Sequence, residues 1–516
     1  MIHNQSPEGF RNKQLHDWVW NEVPNPVYPR TGVGVNISQI IADVNNHFTP
    51  EDRIVLHDLL KAQYENIQLT VKEKENLEKI KNGALVVSTG QQLHPFLGPV
   101  FVWNKIFTAI ETALFVERNY GESVVPIFWM ASEDHDFDEV KHIPFLGRSY
   151  EWKNDQKGAV GRMQVNGIVE VCEQILTDFQ NDKVIQNYFT AFKEIYSSSK
   201  SMAQATRKVL HYLMGETGII AIDPDCKELK ILAKDLWTAE LTDQNLHAIQ
   251  YQNNLLEEKK IQVVVKPRRT QLFKLTNNDR QRIDQIGDDY KLKNGEVFSK
   301  LELQELIIDN PECVSPNVLL RPLYQQIILP NIAYVAGPSE YYYWLQLPQE
   351  FSTNKLPLPW LVMRSGSLLL SNSAKKKIQK FNLSLEDLFK SKDALSKLLL
   401  EKIEGEYTLD SEINSLQTNF ESIWTSLFKS KTVGLKEIKK KHELVLRELR
   451  QLSSSIKSGE TLNEEKQLLV SWVFKTKEEF FNPKVPQERI QFYIEWLVRG
   501  AVFPKPSSSI SAFIEL

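Results

Sequence analysis

ALVVSTGQQLHPFLGPVFVWNKIFTAIETALFVERNYGESVVPIFWMAS, residues 84–132, decides the fold class. The glycine-bounded run ALVVSTG (84–90) is continuously apolar at its start, as a strand buried on both faces must be. VFVWNKIFTAIETALFVERNYG (100–121) reads as a helix, and SVVPIFWMAS (123–132) as a second buried strand. Strand, helix and strand of these lengths form a βαβ unit with parallel strands and a right-handed crossover. GIIAID (218–223), NIAYVAG (331–337) and LPWLVMR (358–364) supply three more strand candidates with helical material between several of them. The pattern predicts an α/β fold with a doubly wound parallel sheet. The uncharged stretch from Gly83 to Asn104 is long enough to cross a bilayer, but Gln91, Gln92, His94 and two prolines make burial in lipid too costly.

Outward from this unit, residues 1–80 form an N-terminal helical lead-in. Its prolines in NEVPNPVYPRTG exclude one continuous helix, and a charged helical approach runs from Thr49 to Lys81. Residues 81–377 hold the sheet core, with insertions at about 143–217 and 240–310. The second insertion contains the short strand candidates QVVVKPRR, TQLFKL and RQRIDQIG. Residues 378–482 change texture. Ile413, Leu416, Phe420, Ile423 and Leu427, then Ile438, Val445, Leu449, Leu452 and Ile456, follow steps of three and four with interruptions, a coiled-coil seam. The remaining 483–516 ends in an apolar β-prone run expected to return to the core.

Charge and cysteine content narrow the function classes. Lys and Arg number 62 against 66 Asp and Glu, a net charge of −4, so no global positive excess advertises nucleic acid or an anionic membrane. Hydrophobic residues at 42% and charged residues at 25% match ordinary globular usage. Cys172, Cys226 and Cys313 are too few and too dispersed for a disulfide framework or a zinc site, which predicts a reduced, cytoplasmic protein. MIHNQSPEGF lacks the basic-then-apolar pattern of a secretory leader.

Three loops at the carboxyl ends of the predicted strands carry the chemistry. In the first, Gly90 and Gly98 let backbone approach a ligand beside Gln91 and Gln92, and the helix N-terminus near Pro99 or Val100 offers donors to a phosphate or carboxylate. The loop has neither GxGxxG nor GxxxxGK[ST]. The second, ASEDHDFDEVKH, gathers Glu133, Asp134, His135, Asp136, Asp138, Glu139 and His142, which could bind Mg²⁺ of a nucleotide or orient His135 as a general base; a salt-bridged loop is the plainer reading. The third, YVAGPSEYYYW, places Gly337, Ser339 and Glu340 at the start of an aromatic helix. Arg321, in apolar surroundings, needs an anionic partner, and Arg364 follows the last strand with Ser365 and Ser367.

TGQQ…GP at 89–99, PIFWMASEDHDFDE at 126–139, SPNVLLRP…LPNIAYVAGPSE at 315–340 and the late coiled coil together resemble the BshC family, the cysteine ligases of bacillithiol biosynthesis, over essentially the whole chain. The resemblance implies joining L-cysteine to glucosaminyl malate. It also implies a Rossmann-like core related to class I aminoacyl-tRNA synthetases, two connecting insertions and a coiled coil used for homodimerisation. ATP is then the expected activator of the cysteine carboxylate, with Mg²⁺ accompanying it; no zinc-binding Cys/His set is evident. The 89–99 loop and the region after Arg364 stand where the synthetases carry HIGH and KMSKS, though neither signature is present. On this reading Gly90, Gln91 and Gln92 hold cysteinyl or phosphate oxygens, Asp134 and His135 position the attacking amine or a metal, Glu340 binds a ribose or amine, and Arg321 or Arg364 takes an acceptor carboxylate. Two alternatives stay open: a metal-dependent hydrolase or transferase using the 133–142 cluster, and a non-catalytic dimeric scaffold.

The seam yields a test of assembly. An apolar stripe on a solvated helix calls for a partner. Light scattering should report a dimer at micromolar concentration for the natural chain and a monomer for Leu449→Glu; a natural chain already monomeric would refute dimerisation.

Overall fold

The computed structural model describes residues 36–366 apart from Asn277, scattered positions between 376 and 471, and residues 487–500. Two compact units emerge, one of residues 1–369 with 485–516 and one of 370–484. In the second unit, Ser384 and Asp387 form a reciprocal cap, each backbone N–H donating to the other's side chain. Apart from Val445, the proposed coiled-coil seam lies outside the described residues, as does the 501–516 run.

The first unit opens with helices α1 (Ile37–His47), α2 (Pro50–Gln63) and α3 (Val71–Lys81). The approach from Thr49 to Lys81 is thus two helices. Each starts with a threonine capping box, Thr49 with Asp52 and Thr70 with Glu73, which satisfies N–H groups that a continuous helix would have bonded internally. Strand β1 (Leu85–Gln91), helix α4 (Val100–Tyr120) and strand β2 (Val124–Met130) form the expected βαβ unit, and Gly121 ends α4 in the left-handed region. Strands β3 (Ile220–Ile222), β4 (Asn331–Ala336) and β5 (Trp360–Met363) complete a parallel sheet in the order β5-β4-β1-β2-β3, and helix α5 (Pro338–Trp344) follows β4.

Alternation along β1 distributes the core. Leu85 and Val87 pack with Ile37, Ile41 and Val44 of α1 and with Ala109, Ala113 and Val116 of α4, all buried. The i, i+4, i+7 spacing in α1 presents one apolar face to the sheet.

Between β2 and β3 lie an antiparallel hairpin (His142–Phe145 with Arg148–Glu151) and three helices, Asn166–Asp178, Lys183–Ser197 and Met202–Met214. Between β3 and β4 lie further helices and two small antiparallel sheets. Here two local expectations fail. QVVVKPRR forms no strand, because the N–H and C=O of Val265 are bonded by the Gln346 side-chain amide and Pro267 supplies no donor. RQRIDQIG splits at the buried Ile283 into two strands belonging to different sheets.

Helices α2 and α3 also shield the sheet's β3 edge. Ala221 N–H donates to Tyr64 Oη (2.7 Å), Asp223 N–H to Gln63 Oε1 (2.9 Å), and Asn76 Nδ2 donates to the Gly218 carbonyl (2.7 Å). Side chains thereby replace the missing neighbouring strand. Tyr64→Phe should leave the Ala221 N–H buried and unpaired, costing about 1–3 kcal/mol in chemical denaturation. An unchanged midpoint would show that the edge does not depend on this bond.

Candidate active site at the switch point of the sheet

After β1 the chain builds β2 and β3 on one side and β4 and β5 on the other, so the carboxyl ends of β1 and β4 flank a topological switch point, where open α/β sheets leave a crevice. A cavity of about 730 Å³ opens there. Gly90, Gln91 and Gln92 line it from β1, and Gly337, Ser339 and Glu340 from the β4 loop.

Its floor is organised by Lys105, a side chain that the motif reading passed over. Lys105 points from the first turns of α4, only 1% exposed, and donates to the Gly90 carbonyl (2.5 Å) and Gln91 Oε1 (3.1 Å). Its ammonium also meets Glu340 Oε2 at 2.5 Å. Glu340 is held in turn by Gly337 N–H (2.7 Å) and the Tyr334 hydroxyl (2.9 Å). Burial is the largest influence on Glu340 and acts against its charge, but Lys105, the Gly337 N–H and Arg321 together hold the carboxyl below its ordinary range; burial lowers Lys105 against the pull of Glu340. Lysine can only donate, so it fixes the Gln91 amide with oxygen inward and leaves the NH₂ to serve a ligand. A side chain at Gly337 would crowd Glu340 Oε2 at 3.2 Å, which explains glycine at that turn.

The loop between β1 and α4 is a tight turn in which Phe96, Leu97 and Gly98 all have positive φ. Neighbouring structure holds this strain: Phe96 packs on Phe189, Phe192 and Tyr196, and its N–H donates to the Tyr196 hydroxyl. A Cβ at Gly98 would lie 2.4 Å from His94 Cβ. Gly98 therefore shapes the turn and does not line the cavity, whereas His94 does.

Residues 487–492 supply another wall. Glu488 binds Arg364 through both carboxylate oxygens (2.7 and 2.9 Å) and accepts from Asn104 Nδ2 (3.0 Å). Val100 N–H donates to the Gln491 carbonyl, and Phe492 sets its ring edge-on to His94. Two expectations change. The first N–H of α4 is occupied by protein, so it is not open to a phosphate. The Arg364 fork is committed to Glu488, so it cannot offer the same bidentate face to an acceptor carboxylate.

The acidic loop converges only in part. Asp134 reaches the cavity, accepting from Gln92 Nε2 (3.1 Å). Glu133 turns the other way and pairs with the fully buried Lys230 (2.7 Å), which also binds Asp225 (2.9 Å) beside Arg162. Burial raises the Glu133 carboxyl. His135 lies outside the cavity lining, about half-exposed, with Nδ1 3.2 Å from Arg280 Nη1 and 3.8 Å from Asp134 Oδ1, and its ring beside Phe273. Asp136 is exposed and precedes a short helix. Glu139 and His142 line the cavity along with Asp134. Arg321 lines it too, donating to the Tyr343 hydroxyl (2.9 Å). Among the described residues, no three His, Cys, Asp or Glu side chains form a metal-binding group, and no helix is long and apolar enough to cross a membrane.

Sheet order, the switch-point cavity and its ion-paired floor define a Rossmann-like domain with a polar small-molecule site. Residues 28–365 match the family described as bacillithiol biosynthesis BshC, N-terminal Rossmann-like domain, and the chain belongs to that family. Relatives bearing the name "Putative cysteine ligase BshC" include one from Cytophaga hutchinsonii, 34% identical over 72% of this chain and 71% of the relative. Another, from Flavobacterium psychrophilum, is 31% identical over 84% and 86%, respectively. A third, from Flavobacterium johnsoniae, is 32% identical over 75% and 74%.

His94 gives the site a pH signature. Burial lowers its imidazole to about 4, so it is neutral at pH 7. Between the unfolded value near 6.5 and about 4, the unfolded chain takes up a proton that the folded one refuses, so stability falls as pH falls through that window and is unaffected above it. Relative to His94→Asn, the natural chain should lose about 3 kcal/mol between pH 6.5 and 4. Parallel stability–pH curves would show that His94 is protonated normally.

Proposed function

We propose that this chain is a cysteine ligase of bacillithiol biosynthesis, forming the amide between L-cysteine and the amine of glucosaminyl malate after ATP activates the cysteine carboxylate. The observation that carries this reading is the cavity at the ends of β1 and β4, where the Lys105–Glu340 pair fixes backbone and amide groups around a space lined by arginines. Family membership supports the same chemistry. A carboxylate does not acylate an amine unaided because its oxygen is a poor leaving group. In the proposed route a carboxylate oxygen attacks the α-phosphorus of ATP and pyrophosphate leaves. The sugar amine then attacks the acyl carbon, AMP leaves, and the amine loses a proton.

In this scheme Gln91 and Gln92 donate to substrate oxygens, and Asp134 receives the proton from the attacking amine. Glu340 serves as a buttress, since both its oxygens are engaged within the protein. Mg²⁺ enters with the nucleotide, carried chiefly by its phosphates. The substrates are small molecules; the proposal includes cytoplasmic location and a homodimer formed through the helical segment, without nucleic-acid or membrane partners. The turning of Glu133 away to the buried Lys230, while Asp134 faces the cavity, favours this assignment over a hydrolase built on that loop as one cage.

The full chain supplied with ATP, Mg²⁺, cysteine and glucosaminyl malate should yield bacillithiol with AMP and pyrophosphate, and no product without ATP. Asp134→Asn should reduce turnover about 10²-fold while His135→Ala changes it far less. ADP with phosphate as co-products would replace the adenylate by an acyl phosphate. Product formation independent of ATP would overturn activation altogether.

A further inference from the structure

The geometry points to Arg489 as a specificity-determining residue that recognises a carboxylate of the acceptor's malate group, with Arg321 as the second cation of the same subsite. This assignment rests on the ligase reading above. Four cationic side chains, Lys105, Arg321, Arg364 and Arg489, line the cavity. Lys105 is matched by Glu340 and Arg364 by Glu488. Among the described residues, neither Arg321 nor Arg489 has a carboxylate oxygen within 4 Å in an ion pair, and Arg321 has only the neutral Tyr343 hydroxyl as a side-chain partner. The cavity therefore contains two guanidinium groups held in no direct ion pair, Arg321 feeling Glu340 and Asp134 only at longer range, and anionic groups are what such groups bind best.

Arg489 is also mounted for recognition. The preceding residue is anchored by a buried two-point ion pair, and the carbonyl two residues later accepts from Val100 N–H. Phe492 then bridges Pro99. Fixing the backbone on both sides lowers the conformational freedom lost when the side chain engages a ligand. Arg489 itself is exposed and on the cavity wall, so its fork is accessible. The acceptor contributes two carboxylates on a short malate unit, which two separate guanidiniums can divide between them. Nucleotide phosphate offers the same anionic chemistry, and the test separates the two sources.

Calorimetric titration of the full chain with glucosaminyl malate, glucosamine and ATP reads the assignment. Arg489→Gln should weaken glucosaminyl malate about tenfold or more, leaving glucosamine and ATP within twofold of the natural chain. Arg489→Lys should recover only part of the loss, because an ammonium lacks the planar fork. Weakened ATP binding with acceptor affinity intact would assign Arg489 to phosphate and overturn the proposal, as would unchanged binding of both. A natural chain that makes product while Arg489→Gln binds the acceptor equally well defeats this assignment alone; one that neither binds acceptor nor makes product defeats the ligase reading and the assignment with it.

Discussion

The buried pair between Lys105 and Glu340 is the contact on which the site depends. It joins α4, the end of β1 and the loop after β4, three pieces far apart in the chain, through one ammonium and one carboxylate. Taking two charges out of water is costly, and the cost is offset only if the remaining donors and acceptors are satisfied. Here Gly90, Gln91, Gly337 and Tyr334 satisfy them. Apolar residues of similar volume could fill the space, but would not set the direction of the Gly90 carbonyl or the Gln91 amide. The pair thus converts a crevice common to doubly wound sheets into an oriented set of polar groups.

Rigidity around that pair is built from stiff neighbours. The turn after β1 carries three consecutive residues with positive φ, two of them not glycine. Such backbone persists only where packing over-determines it. The aromatic cluster of Phe189, Phe192 and Tyr196, all from the helix Lys183–Ser197 between β2 and β3, closes on Phe96. Material inserted into the sheet thereby supports the loop that shapes the cavity, linking packing remote from the strands to the position of Gln91 and Gln92.

Much of this was legible in the sequence because buried parallel strands leave continuous apolar runs; four core strands fall within the runs read from it, and β1 passes its run by one residue, Gln91. Gly90, Gln91, Gln92, Asp134, Arg321, Gly337, Ser339, Glu340 and Arg364 meet around one cavity because strand ends in such sheets converge. The acidic loop was harder. Successive residues beyond a strand face different directions, so Glu133 turns to Lys230 while Asp134 faces the cavity and His135, though 3.8 Å from Asp134, stays outside the lining. Lys105 did leave a signal, a lone cation within the largely apolar stretch VFVWNKIF that opens the helix, where burial demands a partner. Glu488 and Arg489 left none: PQERIQF has the composition of an exposed helix, and its partners lie more than a hundred residues upstream.

That distance explains the Arg364–Glu488 pair. The chain leaves the first unit shortly after Arg364 and re-enters it shortly before Glu488, with residues 370–484 forming the second unit in between. Closing so long a loop carries an entropic penalty that rises only logarithmically with its length, so a few well-made contacts at its root can hold it. A buried bidentate pair suits that position because it is directional as well as strong: Glu488 fits Arg364 in one orientation, and Asn104 fixes the same carboxylate from α4. An apolar contact would bring the returning chain back without specifying its rotation. The register set by this pair places Ile490 and Phe492 on the cavity wall beside Arg489, so the last part of the site to arrive along the chain is positioned by charge geometry at the point of return.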